Sequence, residues 1–212
     1  MTKLGKTEKL WPRRQERAAR TREAIVRTAT RLLVERGYAA TTMADVAHEA
    51  DVSRATVFNA IGGKPQLLKA AYDVATVGDD LPIPLPQRPG LMAVRDEADQ
   101  RQSIILYAGV IAEIGQRLSG IYEVFRAASA SDPEISLLWA DIQQQRLQGA
   151  RGFVAILSSK GPLRAGLDPA QAGDIVWTLI DASLYHRLVH DRGWSHANFQ
   201  QWLATSLEAQ LM

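Results

Sequence analysis

The chain has 212 residues, 46% of them hydrophobic and 23% charged, the make-up of an ordinary globular protein long enough to bury a core. It has no cysteine, which excludes disulfides, thiolate catalysis and zinc sites built on Cys ligands, and fits a reducing compartment. The net charge of +2 hides an asymmetry. Residues 1–64 carry 13 Lys and Arg against 7 Asp and Glu, and residues 65–212 carry 12 against 16. A basic first third on an acidic remainder is expected where one end of a protein meets a polyanion.

Residues 1–36 are charged throughout and offer no apolar segment for a signal peptide. The longest stretch without Asp, Glu, Lys or Arg, Gly193 to Leu207, carries His196, Asn198, Gln200 and Gln201. No membrane span is therefore expected, and the cytoplasm is the expected location. Val and Ile are embedded at helical spacing among Ala, Leu, Glu, Gln and Arg, so the chain reads as all-α.

Residues 1–19, ending PRRQERAAR, read as a flexible basic arm. A helix from about Thr21 places Ile25, Ala29, Leu32 and Leu33 on one face and stops at Gly37. Thr42 caps a second helix, Met43 to Ala50, with Asp45 as the short-armed partner of a capping box. Asp51 and Val52 make a turn, and Ser53 caps a third helix, with Val52 and Val57 as its hydrophobic staple. A fourth helix runs from Lys64 to about Val77, with Leu67, Leu68, Ala71 and Val74 inward. Five prolines and glycines between Leu81 and Gly90 then forbid a helix interior, and the domain boundary is placed there, giving residues 20–79 and 80–212.

Four or five longer helices are expected beyond it. Two open on Asp-Pro, at Asp132-Pro133 and Asp168-Pro169, where Asp caps and Pro takes the first helical position. The second of these is read as continuous through Ala172, Val176, Leu179 and Ser183. The last opens at Ser195, with Trp194 and Phe199 as a staple. Its apolar face, including Trp202, Leu203, Leu207 and Leu211, is wide for a terminal helix and is expected to pack on more than its own domain.

Two short helices joined by a tight turn form a helix-turn-helix. With Val57 and Ile61 inward, Arg54, Ala55, Thr56, Phe58 and Asn59 point out. Arg can fork onto guanine, Asn can bind adenine, and small side chains can meet thymine methyls in a major groove. Lys64 at the mouth of the fourth helix, and Thr42 at the start of the second, suit phosphates. The caps and staples alone would equally suit a helical corner that never meets DNA.

The stretch TREAIVRTATRLLVERGYAATTMADVAHEADVSRATVFNAIGGKPQLLKAAY resembles the N-terminal domain of TetR-family transcriptional repressors. The features that agree are RLLVERGY, TTM, DVA, VSRATVF, and GK followed by LL. The resemblance implies an N-terminal three-helix DNA-binding domain containing the helix-turn-helix, and a larger C-terminal helical ligand-binding and dimerisation domain. The partners it implies are a palindromic double-stranded operator, a second copy of the chain and a small-molecule effector that releases the DNA. The end, YHRLVHDRGWSHANFQQWLATSLEAQL, resembles the last two helices of the family's dimer interface. Phe58 stands where the family usually has Tyr, and Ala60 and Ile61 where it has His and Phe. The DNA-contact set is then Thr42, Ser53, Arg54, Ala55, Thr56, Phe58, Asn59 and Lys64. In the dimer the two recognition helices would lie about 34–36 Å apart, entering successive major grooves.

The expected effector pocket lies between Val94 and His190, lined by Tyr107, Ile111, Ile114, Phe125, Trp139, Gln143, Trp177 and Asp181. That mix suits a mainly apolar ligand with one or two polar handles. Each aromatic at helical spacing also reads as ordinary core. His186 and His190 are four apart, but the Glu of the zinc-protease pattern is missing, and no metal or cofactor is expected. G-x-S-x-G, the phosphate-binding glycine loop and G-x-G-x-x-G are all absent, which disfavours a helical enzyme. A sequence-indifferent DNA-binding protein remains the other reading.

Overall fold

The computed structural model describes residues 10–212, with side chains from Glu16 onward. The first nine residues of the expected arm lie outside the described residues. The rest of it, from Leu10, is helical and continuous with the first helix. Its Arg, Gln, Glu and Ala are strong helix formers, and Pro12 falls in the first turn, where its missing N–H breaks no helical bond.

Ten α-helices are found among the described residues: α1 (Leu10–Ala40), α2 (Met43–Glu49), α3 (Arg54–Ile61), α4 (Lys64–Val77), α5 (Pro89–Asp96), α6 (Gln100–Ser129), α7 (Pro133–Ser158), α8 (Pro169–Leu179), α9 (Ala182–Tyr185) and α10 (His196–Leu211). No strand occurs among those residues. The chain divides into two units, Met1–Val74 and Ala75–Met212. The division falls inside α4, a few residues before the sequence-based boundary.

In the first unit α1, α2 and α3 pack on one another around Ile25, Leu32, Leu33, Val46, Val57 and Leu68, all buried. The regular part of α1 breaks at Gly37, whose φ of 79° is left-handed and favours glycine. Buried Thr41 repairs the break: its hydroxyl reaches the carbonyls of Gly37 at 2.9 Å and Leu32 at 3.1 Å. The turn between α2 and α3 puts Asp51 at φ 54°, and the Val52 N–H returns to the Ala47 carbonyl at 3.0 Å. Asp tolerates this conformation because its short side chain crowds the backbone little.

In the second unit α6 is the central helix, packed by α5, α7, α9 and α10, with α8 against α7 and α10. By length and composition α6 is apolar enough to cross a membrane, with a mean hydropathy of 1.3 over its best window. Its buried face, Ile104, Tyr107, Ala108 and Ala112, belongs instead to the shared core with Phe153, Val154, Val176, Tyr185, Leu203 and Leu207. Pro89 and Gly90, read as linker, open α5, because proline is preorganised for the first helical turn. The Pro-rich loop before it is held by Arg88, whose guanidinium donates to the Asp79 carboxylate at 2.5 and 2.8 Å and to the Ile83 carbonyl at 3.2 Å. These bonds, Arg88 first and then the Leu81 N–H, hold the Asp79 carboxyl down at about 2.

The helix expected to run unbroken past Leu179 ends there. Asp181 caps the short α9 by accepting from the Ser183 N–H at 3.0 Å, and His186–Asp191 continue it as a π-helical turn. Helix α9 lies close against α6 at Gly115. A Cβ there would come within 2.8 Å of the Tyr185 ring, so α9 approaches α6 closely only because that position is bare. At the start of α10 Ser195 accepts from the Asn198 N–H at 3.1 Å. Trp194 meets Trp202 edge-on at 6.3 Å, a turn beyond the Phe199 named for the staple.

Candidate nucleic-acid interface and effector site

The eight residues expected to contact DNA all lie between the start of α2 and the start of α4, but the structure gives them different tasks. Arg54, Ala55, Phe58 and Asn59 are exposed on α3. Their spacing makes two parallel ridges, Arg54–Phe58 and Ala55–Asn59, each one turn apart. Phe58 keeps 63% of its surface open. Ser53 and Thr56 are tied to each other: the Ser53 hydroxyl accepts from the Thr56 N–H at 3.0 Å, and the two hydroxyls lie 2.8 Å apart. Ile61 is only half-buried, so Val57 alone carries the buried side of α3.

Thr42 forms a complete capping box with Asp45. Its hydroxyl proton goes to the Asp45 carboxylate at 2.7 Å, and that bond, with the one from the Thr42 N–H, holds the Asp45 carboxyl below its usual range. A phosphate at Thr42 would have to displace this negative partner. Lys64 is also engaged. Its ammonium lies 4.2 Å from the Tyr38 ring centre and 3.4 Å from the Ala39 carbonyl, so it clamps the end of α1. The first N–H of that turn, Gly63, is taken by the Gln66 side chain at 3.0 Å.

Other basic residues of this unit are likewise paired. Arg36 bonds Glu49 at 2.8 Å and Arg31 contacts the same carboxylate. Arg22, on α1, donates to the Ala60 carbonyl at 2.9 Å and so anchors the end of α3. Sequence reasoning missed this role, because Arg22 and Ala60 are 38 residues apart and only packing joins them.

The expected pocket residues separate into two groups. Tyr107 stacks on Phe153 with centroids 3.7 Å apart, and Ile111 packs against the same core. Ile114 is buried on α6. Phe125, Trp139, Gln143, Trp177 and Asp181 gather instead around two residues that sequence reasoning did not name, Tyr122 and Arg146. The Tyr122 hydroxyl donates to the Asp181 carboxylate at 2.5 Å. Arg146 lies 3.0 Å from that carboxylate and donates to Gln143 at 2.6 Å and to the Trp177 carbonyl at 3.1 Å. Trp139 meets Tyr122 edge-on at 4.9 Å and stacks on Phe125 at 5.7 Å.

Burial alone would raise the Asp181 carboxyl; the Arg146 charge and the bonds from Ser183 and Tyr122 overcome it and hold the group below its usual value. Burial also pushes the Tyr122 phenol well up, so it stays a donor. The Trp177 indole N–H is buried without a partner, as is Nδ1 of His186. One signal was available in advance: Trp139, Gln143 and Arg146 share one face of α7 at helical spacing.

A separate groove of about 610 Å³ opens between α8 and α10, lined by Ile175, Leu179, Trp202, Ser206 and Ala209 among others. Of the face of α10 expected to pack beyond its own domain, Leu203, Leu207 and Leu211 are buried in the unit's own core, and Trp202 borders this groove. The π-turn segment that sequence reasoning placed beside α10 in the dimer interface follows α9, which packs on α6. His186 and His190 have ring centres 5.1 Å apart, and His190 meets the Ser119 hydroxyl at 3.3 Å. No group of three metal-binding side chains occurs among the described residues.

The chain is all-α, and the open face of its N-terminal helix-turn-helix is the arrangement that lays a helix in a DNA major groove. Residues 25–71 match the family model described as bacterial regulatory proteins, tetR family. The uncharacterized HTH-type transcriptional regulator YdeS of Bacillus subtilis is 26% identical over 172 residues, covering 80% of this chain and 78% of that protein. Among solved structures, a candidate transcriptional regulator from Saccharomonospora viridis in complex with choline shares 21% identity. It covers 90% of this chain and 96% of its own, with a TM-score of 0.65. The Bacillus subtilis regulator FadR in complex with stearoyl-CoA shares 17%, covering 87% and 96%, with a TM-score of 0.64. Residues 25–71 are thus similar to the tetR-family regulatory proteins, and most of the chain is similar to an HTH-type transcriptional regulator.

Proposed function

We propose that the protein is a cytoplasmic repressor that binds a palindromic operator as a homodimer and is released by a small, mainly apolar effector. The observation that carries this reading is the open face of α3, where Arg54, Ala55, Phe58 and Asn59 are exposed together. Arg54 and Asn59 supply the donor fork and the amide that read guanine and adenine, and Ala55 and Phe58 supply apolar surface for thymine methyls. Thr42, Ser53, Thr56 and Lys64 hold the frame of the motif and come within reach of the phosphate backbone.

The second copy seats on α10 and on the groove that α10 shares with α8. The effector site is the cluster around Tyr122, Arg146 and Asp181 in the second unit. That structural relatives hold choline and stearoyl-CoA supports an effector here without naming it. The effector acts by binding better to the dimer that does not fit the operator, and its leverage equals that difference in affinity. Helix α4, the chain's link between the units, is the element through which the difference passes.

The test is binding of the purified protein to DNA flanking its own gene, against random DNA of equal length, over a range of salt. Preference for the flanking DNA is expected, with Arg54→Ala and Asn59→Ala each losing about 1–3 kcal/mol of it. A steep salt slope without preference, unchanged by either substitution, would mean a sequence-indifferent DNA-binding protein instead.

A further inference from the structure

One organic cation already sits in a cage in the second unit. The guanidinium carbon of Arg146 lies 5.5 Å from the ring centres of both Tyr122 and Trp177, and its nitrogen lies 3.0 Å from the Asp181 carboxylate. Two aromatic faces and a carboxylate are the elements that recognise a cation carrying apolar groups.

The members of this cage differ in how far they can move. Asp181 is fixed by its place as the cap of α9, where one carboxylate oxygen accepts from the Ser183 N–H at 3.0 Å and from the Ser183 hydroxyl at 2.6 Å. Tyr122 is buried and braced by Trp139. Arg146 reaches the cage on a long side chain from α7, where Gln143 and the Trp177 carbonyl also hold it. Of the two charges, only the arginine has the torsions to withdraw while its backbone stays in place. An anion drawn to Arg146 would have to settle beside the fixed charge of Asp181, which repels it.

We propose that this cage is the polar subsite of the effector, that the effector is an alkylated organic cation, and that Arg146 is an internal stand-in which the effector displaces. The proposal rests on the reading that the second unit binds an effector. Displacement has a structural consequence. Arg146 bonds the Trp177 carbonyl in the last turn of α8, so its withdrawal removes one tie between α7 and the helix that borders the α8–α10 groove.

The experiment is calorimetric titration of the full chain, without DNA, with three probes of similar shape: tetramethylammonium, neutral tert-butanol and anionic pivalate. The wild type is expected to bind tetramethylammonium weakly but ahead of the other two. Arg146→Ala and Arg146→Met remove the competitor and are expected to tighten it by at least about tenfold, with little change for tert-butanol. Asp181→Asn, which keeps a capping side chain without the charge, is expected to abolish the preference for the cation. Folded Arg146 variants that bind tetramethylammonium no better than the wild type would overturn the proposal. If neither variant folds, the wild-type order decides: cation before neutral before anion supports it, and any other order overturns it. Because no DNA is present, failure here leaves the repressor reading to the operator assay. A protein that binds the cation yet stays on its operator would refute release by the effector and leave the cage standing.

Discussion

Replacing Gly115 with alanine sets two known effects against each other at one position. In the middle of α6, alanine gains about 1 kcal/mol over glycine in helix propensity. The new methyl would lie 2.8 Å from Cδ2, 2.9 Å from Cγ and 3.0 Å from Cβ of Tyr185. Cβ sits next to the backbone of α9, so the ring cannot swing aside without moving that helix. Overpacking of this kind costs roughly 1–3 kcal/mol, and the upper half of that range applies where backbone must shift. The net expectation is a loss of about 1–2 kcal/mol. Gly149 of α7 supplies the control, because a Cβ there meets no atom within 4 Å. Gly149→Ala is expected to stabilise by about 1 kcal/mol. For a chain of this size the two variants then separate by roughly 5–10 °C in melting temperature, measured at one protein concentration. Equal melting temperatures, or a more stable Gly115→Ala, would refute the claim that α9 depends on a bare position in α6.

Three further outcomes follow from the first unit and the Pro-rich loop. Asp51→Val puts a β-branched residue at a left-handed φ of 54° and is expected to cost about 1–2 kcal/mol in urea unfolding, whereas Asp51→Gly costs nothing; equal stabilities would contradict this. Thr41→Val leaves two carbonyls near the α1 break without the hydroxyl that now reaches both, and about 1–2 kcal/mol of stability should be lost. The Asp79 carboxyl, held at about 2 chiefly by Arg88, is lowered relative to the unfolded chain. Its stabilisation is therefore complete above the unfolded value near 4 and disappears as pH falls through about 2. Carboxyl titration by NMR should place Asp79 there, and Arg88→Met should return it toward the ordinary range. An unmoved titration would separate Asp79 from Arg88.

The features legible in the sequence were those set by local chemistry. Ser53, Asp132, Asp168 and Ser195 cap the helices expected of them, because a cap depends on a few adjacent residues. The break at Gly37 and the open side of α3 follow from equally local rules. What escaped depends on residues far apart in the chain. Arg146 sits in the run DIQQQRLQG, which reads as a solvated face, and its partner Asp181 is 35 positions on. Asp181 was named among the pocket residues, but its role as a cap became visible only where α8 stops. Lys64 and Thr42 show the same limit. Both have the chemistry for phosphate, and the structure adds that Tyr38 and Asp45 engage them within the unit.

Those commitments put more of the recognition on α3 itself, and Phe58 is where the matter can be decided. A phenyl ring with 63% of its surface open contributes little to the isolated unit, and burying the open part in a complex would contribute about 1–2 kcal/mol. It shares a ridge with Arg54, the residue expected to enter the groove. The ring is therefore expected against apolar base edges, not along the sugar–phosphate backbone. Phe58→Ala should then weaken binding to the operator by roughly 5- to 30-fold while leaving random DNA within a factor of about two. Phe58→Tyr, which adds a hydroxyl to a surface matched to methyl groups, should weaken the operator alone. If Phe58→Tyr tightens both DNAs alike, the ring lies at a phosphate, and sequence readout belongs to Arg54 and Asn59 without it.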